Sequence, residues 1–233
     1  MMDHYKLFYW PIPFRGHFIR MILAHVGATW EEPGFEGMAR FKDQPVRDKP
    51  YPFLAPPVLH DEEADLWLSQ LPAISQYLGR KFDLSVDQDQ ELRLIADASD
   101  ILFEITRYHG VMMWDRDAWN GFRNTRLPLW LALHERFVVE NGVRKGAGFL
   151  FGATSIGVGD LTLAALWHIM ADRLPGMRAV ITGHAPTLMD LADRVAATPA
   201  IAAMEAAWAD DPIRYCAGQI EKSLFEMLEG DPE

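Results

Sequence analysis

Residues 5–26, YKLFYWPIPFRGHFIRMILAHV, contain the reversal on which the fold depends. Tyr5 to Trp10 is short, aromatic and closed by Pro11, the pattern of a strand. Pro11 and Pro13 disfavour helix in the residues before them, so the next segment is predicted to be a loop. From Arg15 to His25 the apolar residues Phe18, Ile19, Ile22 and Leu23, continued by Val26, recur at helical spacing, and Gly27 supplies a stop. A strand, a loop and a helix in this order predict an α/β beginning.

Working outward, residues 30–35 predict a second strand, weakened by Pro33, and the charged stretch 41–51 predicts a surface loop. Residues 54–60 and 65–68 flank the acidic turn Asp61-Glu62-Glu63, a hairpin pattern entered through Pro56-Pro57. A helix is predicted from Pro72 to Gly79, since proline suits a first helical turn. The polar, aperiodic stretch 80–89 reads as a linker between domains at 1–80 and 88–233. Beyond it the chain predicts helices alone. Leu92, Ile95, Ala96, Ser99, Leu102 and Phe103 form one stripe, and Leu127, Leu131, His134 and Val138 form another. Residues 160–174 are apolar nearly all round, which predicts a buried helix. Two more helices follow Pro186 and Pro199.

Hydrophobic residues make up 49% of the 233, enough for a core without disulfides. Cys216 is the one cysteine, which excludes an intramolecular disulfide and a cysteine-rich zinc site and suits a reducing compartment. With no H-E-x-x-H pattern either, no metal is expected. The formal net charge is −11 and no basic run occurs, which argues against nucleic acid and anionic membranes as partners. No apolar stretch is long enough to span a bilayer, and the first residues lack the apolar run of a signal peptide. The expectation is a soluble, cytoplasmic protein.

The order α/β then all-α resembles the cytosolic glutathione transferases, over almost the whole chain. Leu7-Phe8-Tyr9-Trp10-Pro11 with Arg15-Gly16 resembles the opening of the tyrosine-type classes, and the pattern is closest to the mu, pi and sigma-like ones. Pro57-Val58-Leu59 resembles the cis-proline element before the third strand, and Leu68-Ser69-Gln70-Leu71-Pro72-Ala73-Ile74, with Tyr77-Leu78, resembles the pattern that follows it. Residues 127–142 and 152–160 are similar to the family's fifth helix and to the start of its buried sixth. The resemblance implies a thioredoxin-like N-terminal domain that binds glutathione as co-substrate, an all-helical C-terminal domain, a homodimer, no metal cofactor, and a detoxifying transfer of glutathione to a small hydrophobic electrophile.

That chemistry needs a thiolate from a thiol whose free pKa is about 8.5, and a neutral hydroxyl donating to sulfur favours the ionised form. Between the first strand and helix Tyr9 is the one hydroxyl, so Tyr9 is expected to be catalytic, with Arg15 as an electrostatic helper. The resemblance further implies glutathione contacts from Lys49, Pro56, Pro57, Gln70, Leu71 and, across the dimer, Asp100. Phe14, Val111 and Trp114 are expected to wall the substrate pocket. Two residues depart from the pattern, Leu71 and Gly157. Gly157 replaces the usual serine or threonine cap of the sixth helix, which glycine tolerates and which bears little on function. Leu71 stands where a serine or threonine hydroxyl is usual, and Pro56 adds a chemical objection of its own, having no N–H to offer an extended ligand. Leu71 and Pro56 favour an alternative, a non-catalytic ligand-binding or interaction protein on the same fold. A cysteine-dependent oxidoreductase is set aside because Cys216 lies far along the chain from the expected site.

Overall fold

A computed structural model describes residues 4–209, 211 and 213–229. Strand β1 (His4–Phe8) pairs in parallel with β2 (Thr29–Glu31) and antiparallel with β3 (Val58–Asp61), which pairs antiparallel with β4 (Leu66–Ser69). The sheet order is β2-β1-β3-β4, with Leu7 opposite Leu59 and Phe8 opposite Val58. Helix α1 (Arg15–Val26) is the crossover between the parallel strands, and Gly27 ends it at φ 71°. Helix α3 (Leu71–Lys81) packs on α1 and starts one residue before the predicted proline.

The first strand is shorter than predicted. Tyr9 and Trp10 leave the sheet because the chain after them folds into two tight turns. Ile12 N donates to Trp10 O at 2.8 Å and Phe14 N to Ile12 O at 2.9 Å, each turn centred on a proline that fixes φ. The second strand stops at Glu31, and Pro33 caps an unpredicted helix, α2 (Gly34–Asp43), where the loop was expected to begin at Phe41. Its inward face is narrow. Met38 and Phe41 form a small core with Phe53 and Val58, and Phe41 stacks on Phe8 at 4.2 Å.

Gly79 does not end α3; the helix continues two residues beyond it. A Cβ at Gly79 would lie 2.9 Å from Ser85 Oγ and 3.3 Å from Val158 Cγ1, so the glycine permits close packing here. Residues 82–87, within the stretch 80–89 that the sequence reads as a linker, are tied to both sides. Leu84 N donates to Gly79 O, and Val158 N donates to Leu84 O.

Helices fill the remainder, beginning with α4 (Gln88–Ile105), capped by Asp87. Leu127–Glu140 follows a π-helical turn, and Val158–Leu163 continues through another into Ile169–Arg173. This composite helix is buried almost throughout, as its composition predicts. Asp160 closes its start by accepting from Gly157 N at 2.9 Å and Leu150 N at 3.0 Å. Met177–His184, Pro186–Ala196, Pro199–Ala206 and Gly218–Glu229 complete the chain. Among the described residues after 88 the only strand-like pairing is one isolated bridge, Arg144 with Ala147. No described helix is long and apolar enough to cross a membrane.

Candidate active site

The loop between β1 and α1 opens into a cleft of about 440 Å3. Tyr9, Phe14, Arg15 and Pro56 line it from the N-terminal side, and Thr106 and His109 from the turn that follows α4. Tyr9 is 4% exposed, and its ring packs closely against the start of α1. A Cβ at Gly16 would fall 2.4 Å from Tyr9 Cδ1, so this approach requires glycine. The phenolic oxygen accepts from Arg15 N at 3.2 Å, one of the backbone donors that a helix start leaves free. That bond leaves the phenolic proton available for another acceptor. Burial raises the Tyr9 pKa well above its ordinary value, although Arg15 and Arg20 pull the other way. Tyr9 is therefore a neutral hydrogen-bond donor at any physiological pH.

Arg15 donates from Nη2 to Ser99 O at 3.3 Å, and burial lowers its pKa below the usual arginine value. Asp100, exposed on α4, is near enough to favour the Arg15 charge. The Pro56–Pro57 peptide bond is cis, and Pro57 O accepts from Gln70 N at 3.2 Å. Gln70 holds φ 76°, ψ 128°, a sparsely populated conformation for a residue with a side chain. Its carbonyl caps α3 by accepting from Ile74 N.

Other expected residues lie elsewhere. The Leu71 side chain is 2% exposed and belongs to the main core. Lys49 sits 3.9 Å from the Phe53 ring centre and donates to Lys42 O and Phe53 O. Lys42, on the unpredicted helix α2, is the lysine that lines the cleft. Val111 is 80% exposed, and Trp114 lines a different hollow.

Cys216 corrects the sequence reading. Although distant in the chain, it lines the same cleft as Tyr9. Burial, followed by the Glu221 charge, raises its pKa far above the ordinary thiol value, so it is a poor nucleophile. Arg20 was also missed. It is 1% exposed and donates to Ile12 O at 2.8 Å and Trp10 O at 2.9 Å, clipping the loop that carries Tyr9. Glu32 neutralises it through two further bonds. The available signal was an arginine inside the apolar run of α1. Among the described residues no group of three or more His, Cys, Asp or Glu side chains is placed to hold a metal ion.

Comparison with known proteins places the chain in a family. The profile described as "Glutathione S-transferase, C-terminal domain" matches residues 90–227. The chain is 32% identical over 115 residues to "Probable glutathione S-transferase 6" of Caenorhabditis elegans, a match covering 48% of this chain and 53% of that protein. It is 28% identical over 209 residues to "Hematopoietic prostaglandin D synthase" of Gallus gallus, covering 87% and 95%. Among solved structures, the pi-class glutathione S-transferase of Onchocerca volvulus superposes with a TM-score of 0.72 at 19% identity, covering 92% of this chain and 97% of that one. The small mixed sheet with its large helical partner is thus the thioredoxin-like plus all-helical fold, and the chain belongs to the glutathione S-transferase family.

Proposed function

We propose that the protein is a cytoplasmic, homodimeric glutathione transferase that joins the glutathione thiolate to a small hydrophobic electrophile. One observation carries the reading. The buried, neutral Tyr9 hydroxyl borders the cleft with its oxygen held by Arg15 N–H and its proton free to donate to sulfur. A donor fixed in that way stabilises the thiolate more than the thiol and needs no reorganisation during reaction. Arg15 adds positive charge on the same wall. The cis Pro56–Pro57 edge offers the Pro56 carbonyl to an extended peptide, and Gln70 supplies a carboxamide beside it. Lys49 has two of its protons committed to carbonyls, so Lys42 is the better placed cation for the distal carboxylate. Phe14 and Ile220 give the apolar wall that an electrophile requires. Asp100 of one subunit would reach the ligand's amino group in the other.

A second reading, a binding protein without catalysis, draws support from Leu71 and Pro56. Calorimetric titration with glutathione separates the two. Millimolar or tighter binding is the result expected of the enzyme. No heat of binding at that concentration would hand the fold to the second reading.

A further inference from the structure

Arg20 clips the loop that carries Tyr9, and the clip works only while the guanidinium keeps its own orientation. It donates in its plane to Trp10 O, Ile12 O and the Glu32 carboxylate. Bonds in the plane resist sliding of a flat cation, but each tolerates modest bending, so they resist tilting poorly. Tilting is opposed by whatever covers the flat faces. Arg20 Cζ lies over the Trp208 ring, 4.6 Å from its centre, and over the Tyr9 ring at 5.8 Å. Arg20 is 1% exposed, and a cation over an aromatic face is worth most where both are out of water.

Trp208 is itself braced. It lies just beyond helix Pro199–Ala206, in a turn that Trp208 N closes by donating to Glu205 O at 2.9 Å. Its carbonyl accepts from Arg173 Nη1 at 2.8 Å, and its ring meets the His17 ring edge to face at 5.7 Å. His17 and Arg20 stand three residues apart on α1, so one face of that helix meets the turn. Trp208 is not among the residues that line the cleft. Its reach toward Tyr9 runs through Arg20.

We infer that Trp208 is a positioning residue for Tyr9: its ring fixes the tilt of Arg20, and Arg20 fixes the loop that aims the Tyr9 hydroxyl. The effect on catalysis rests on the transferase reading, whereas the effect on the loop does not.

Hydrogen exchange of the full chain without glutathione reads the loop through the amides of Ile12, Phe14 and Arg15, which donate to Trp10 O, Ile12 O and the Tyr9 hydroxyl. Trp208→Leu keeps apolar bulk but removes the aromatic face, and should speed their exchange by about tenfold. Trp208→Phe keeps a face and should leave exchange within about threefold of the parent. With glutathione and 1-chloro-2,4-dinitrobenzene, Trp208→Leu should lower kcat by about tenfold and raise the pKa of the bound thiol. The KM for glutathione should stay within about twofold, because a misaimed donor costs rate more than binding. Trp208→Phe should restore both kcat and thiol pKa. Parent-like exchange in the leucine variant overturns the inference. So does a phenylalanine variant no better than leucine, since bulk alone would then suffice. Faster exchange with unchanged kcat and thiol pKa overturns it too, because the loop would move without moving Tyr9. If the parent binds no glutathione, the transferase reading fails and exchange alone decides. Should Trp208→Leu not fold, Arg173→Met, which cuts the brace at the Trp208 carbonyl, takes its place in both measurements.

Discussion

Leu71 sets two requirements against each other at a single residue. The family pattern has a hydroxyl at this helix start, where backbone N–H groups already attract an anion. Here the side chain is core instead. Leu71→Ser should therefore lower stability by about 2–4 kcal/mol, the usual cost of removing a buried leucine's methyl groups. The shorter serine can turn its hydroxyl out of the core to the helix start, and in that rotamer glutathione should tighten by roughly 3–10-fold, since a bond to a carboxylate is worth about 1.5–3 kcal/mol before desolvation. Thermal unfolding reads the first effect and calorimetry the second. An unchanged dissociation constant would reject this account of the position. Tyr9 and Arg15 were legible in the sequence because strand, loop and helix signals fixed their place in the fold. Arg20, Lys42 and Cys216 were not, because each depends on a contact that no local pattern encodes. The Arg20 clip needs two loop carbonyls turned inward, and Cys216 needs a fold-back of the last helical segment.

That fold-back is held by one carboxylate. Glu221, on helix Gly218–Glu229, accepts from Tyr215 N, Cys216 N and Ala217 N at 2.7, 2.9 and 3.1 Å through a single oxygen. Three backbone donors converging on an anion form a nest, and they fix Cys216 on the cleft wall. Glu221→Ala should release the segment and speed modification of Cys216 by a thiol reagent by tenfold or more. It removes the charge that helps to raise the thiol's pKa and the bonds that keep the thiol half-buried. Equal rates in parent and variant would show that other packing holds the turn. Elements with a broad apolar period, such as α1, α4 and the buried composite helix, were readable from sequence. Helix α2 was not, because only Met38 and Phe41 mark its buried face, too few to establish a period. Gly79 misled for the opposite reason, since its purpose is close packing rather than termination.

Across the whole molecule, α1 is joined to the helical region through a buried contact, His17 Nε2 to Glu205 Oε1 at 2.5 Å, with Arg173 3.7 Å from the same carboxylate. Burial lowers the His17 pKa below its ordinary value, against the raising influence of Glu205. Burial alone would raise the Glu205 pKa, but the His17 hydrogen bond and the neighbouring cations leave it lowered. Both signs run the same way. The unfolded chain takes up these protons more readily, so stability is complete above the ordinary histidine pKa, about 6.5, and falls as pH drops through it. The glutamate's contribution is lost further down, as pH falls below its ordinary value of 4.5. The melting temperature should thus fall between pH 7 and 5.5, and His17→Gln should flatten that slope. A slope identical in both proteins would remove His17 from the acid response.

The central claim is that Tyr9 donates a hydrogen bond to a thiolate, and the most direct measurement is the ultraviolet titration of glutathione bound to the protein. The parent should show thiolate absorbance with a pKa below that of the free thiol, about 8.5. Tyr9→Phe should raise that pKa and slow turnover of 1-chloro-2,4-dinitrobenzene by roughly 10–100-fold, equivalent to about 1.4–2.7 kcal/mol. Glutathione affinity should change little, because the lost hydroxyl acts on the ionised sulfur. The same thiolate pKa and the same rate in parent and variant would contradict the account.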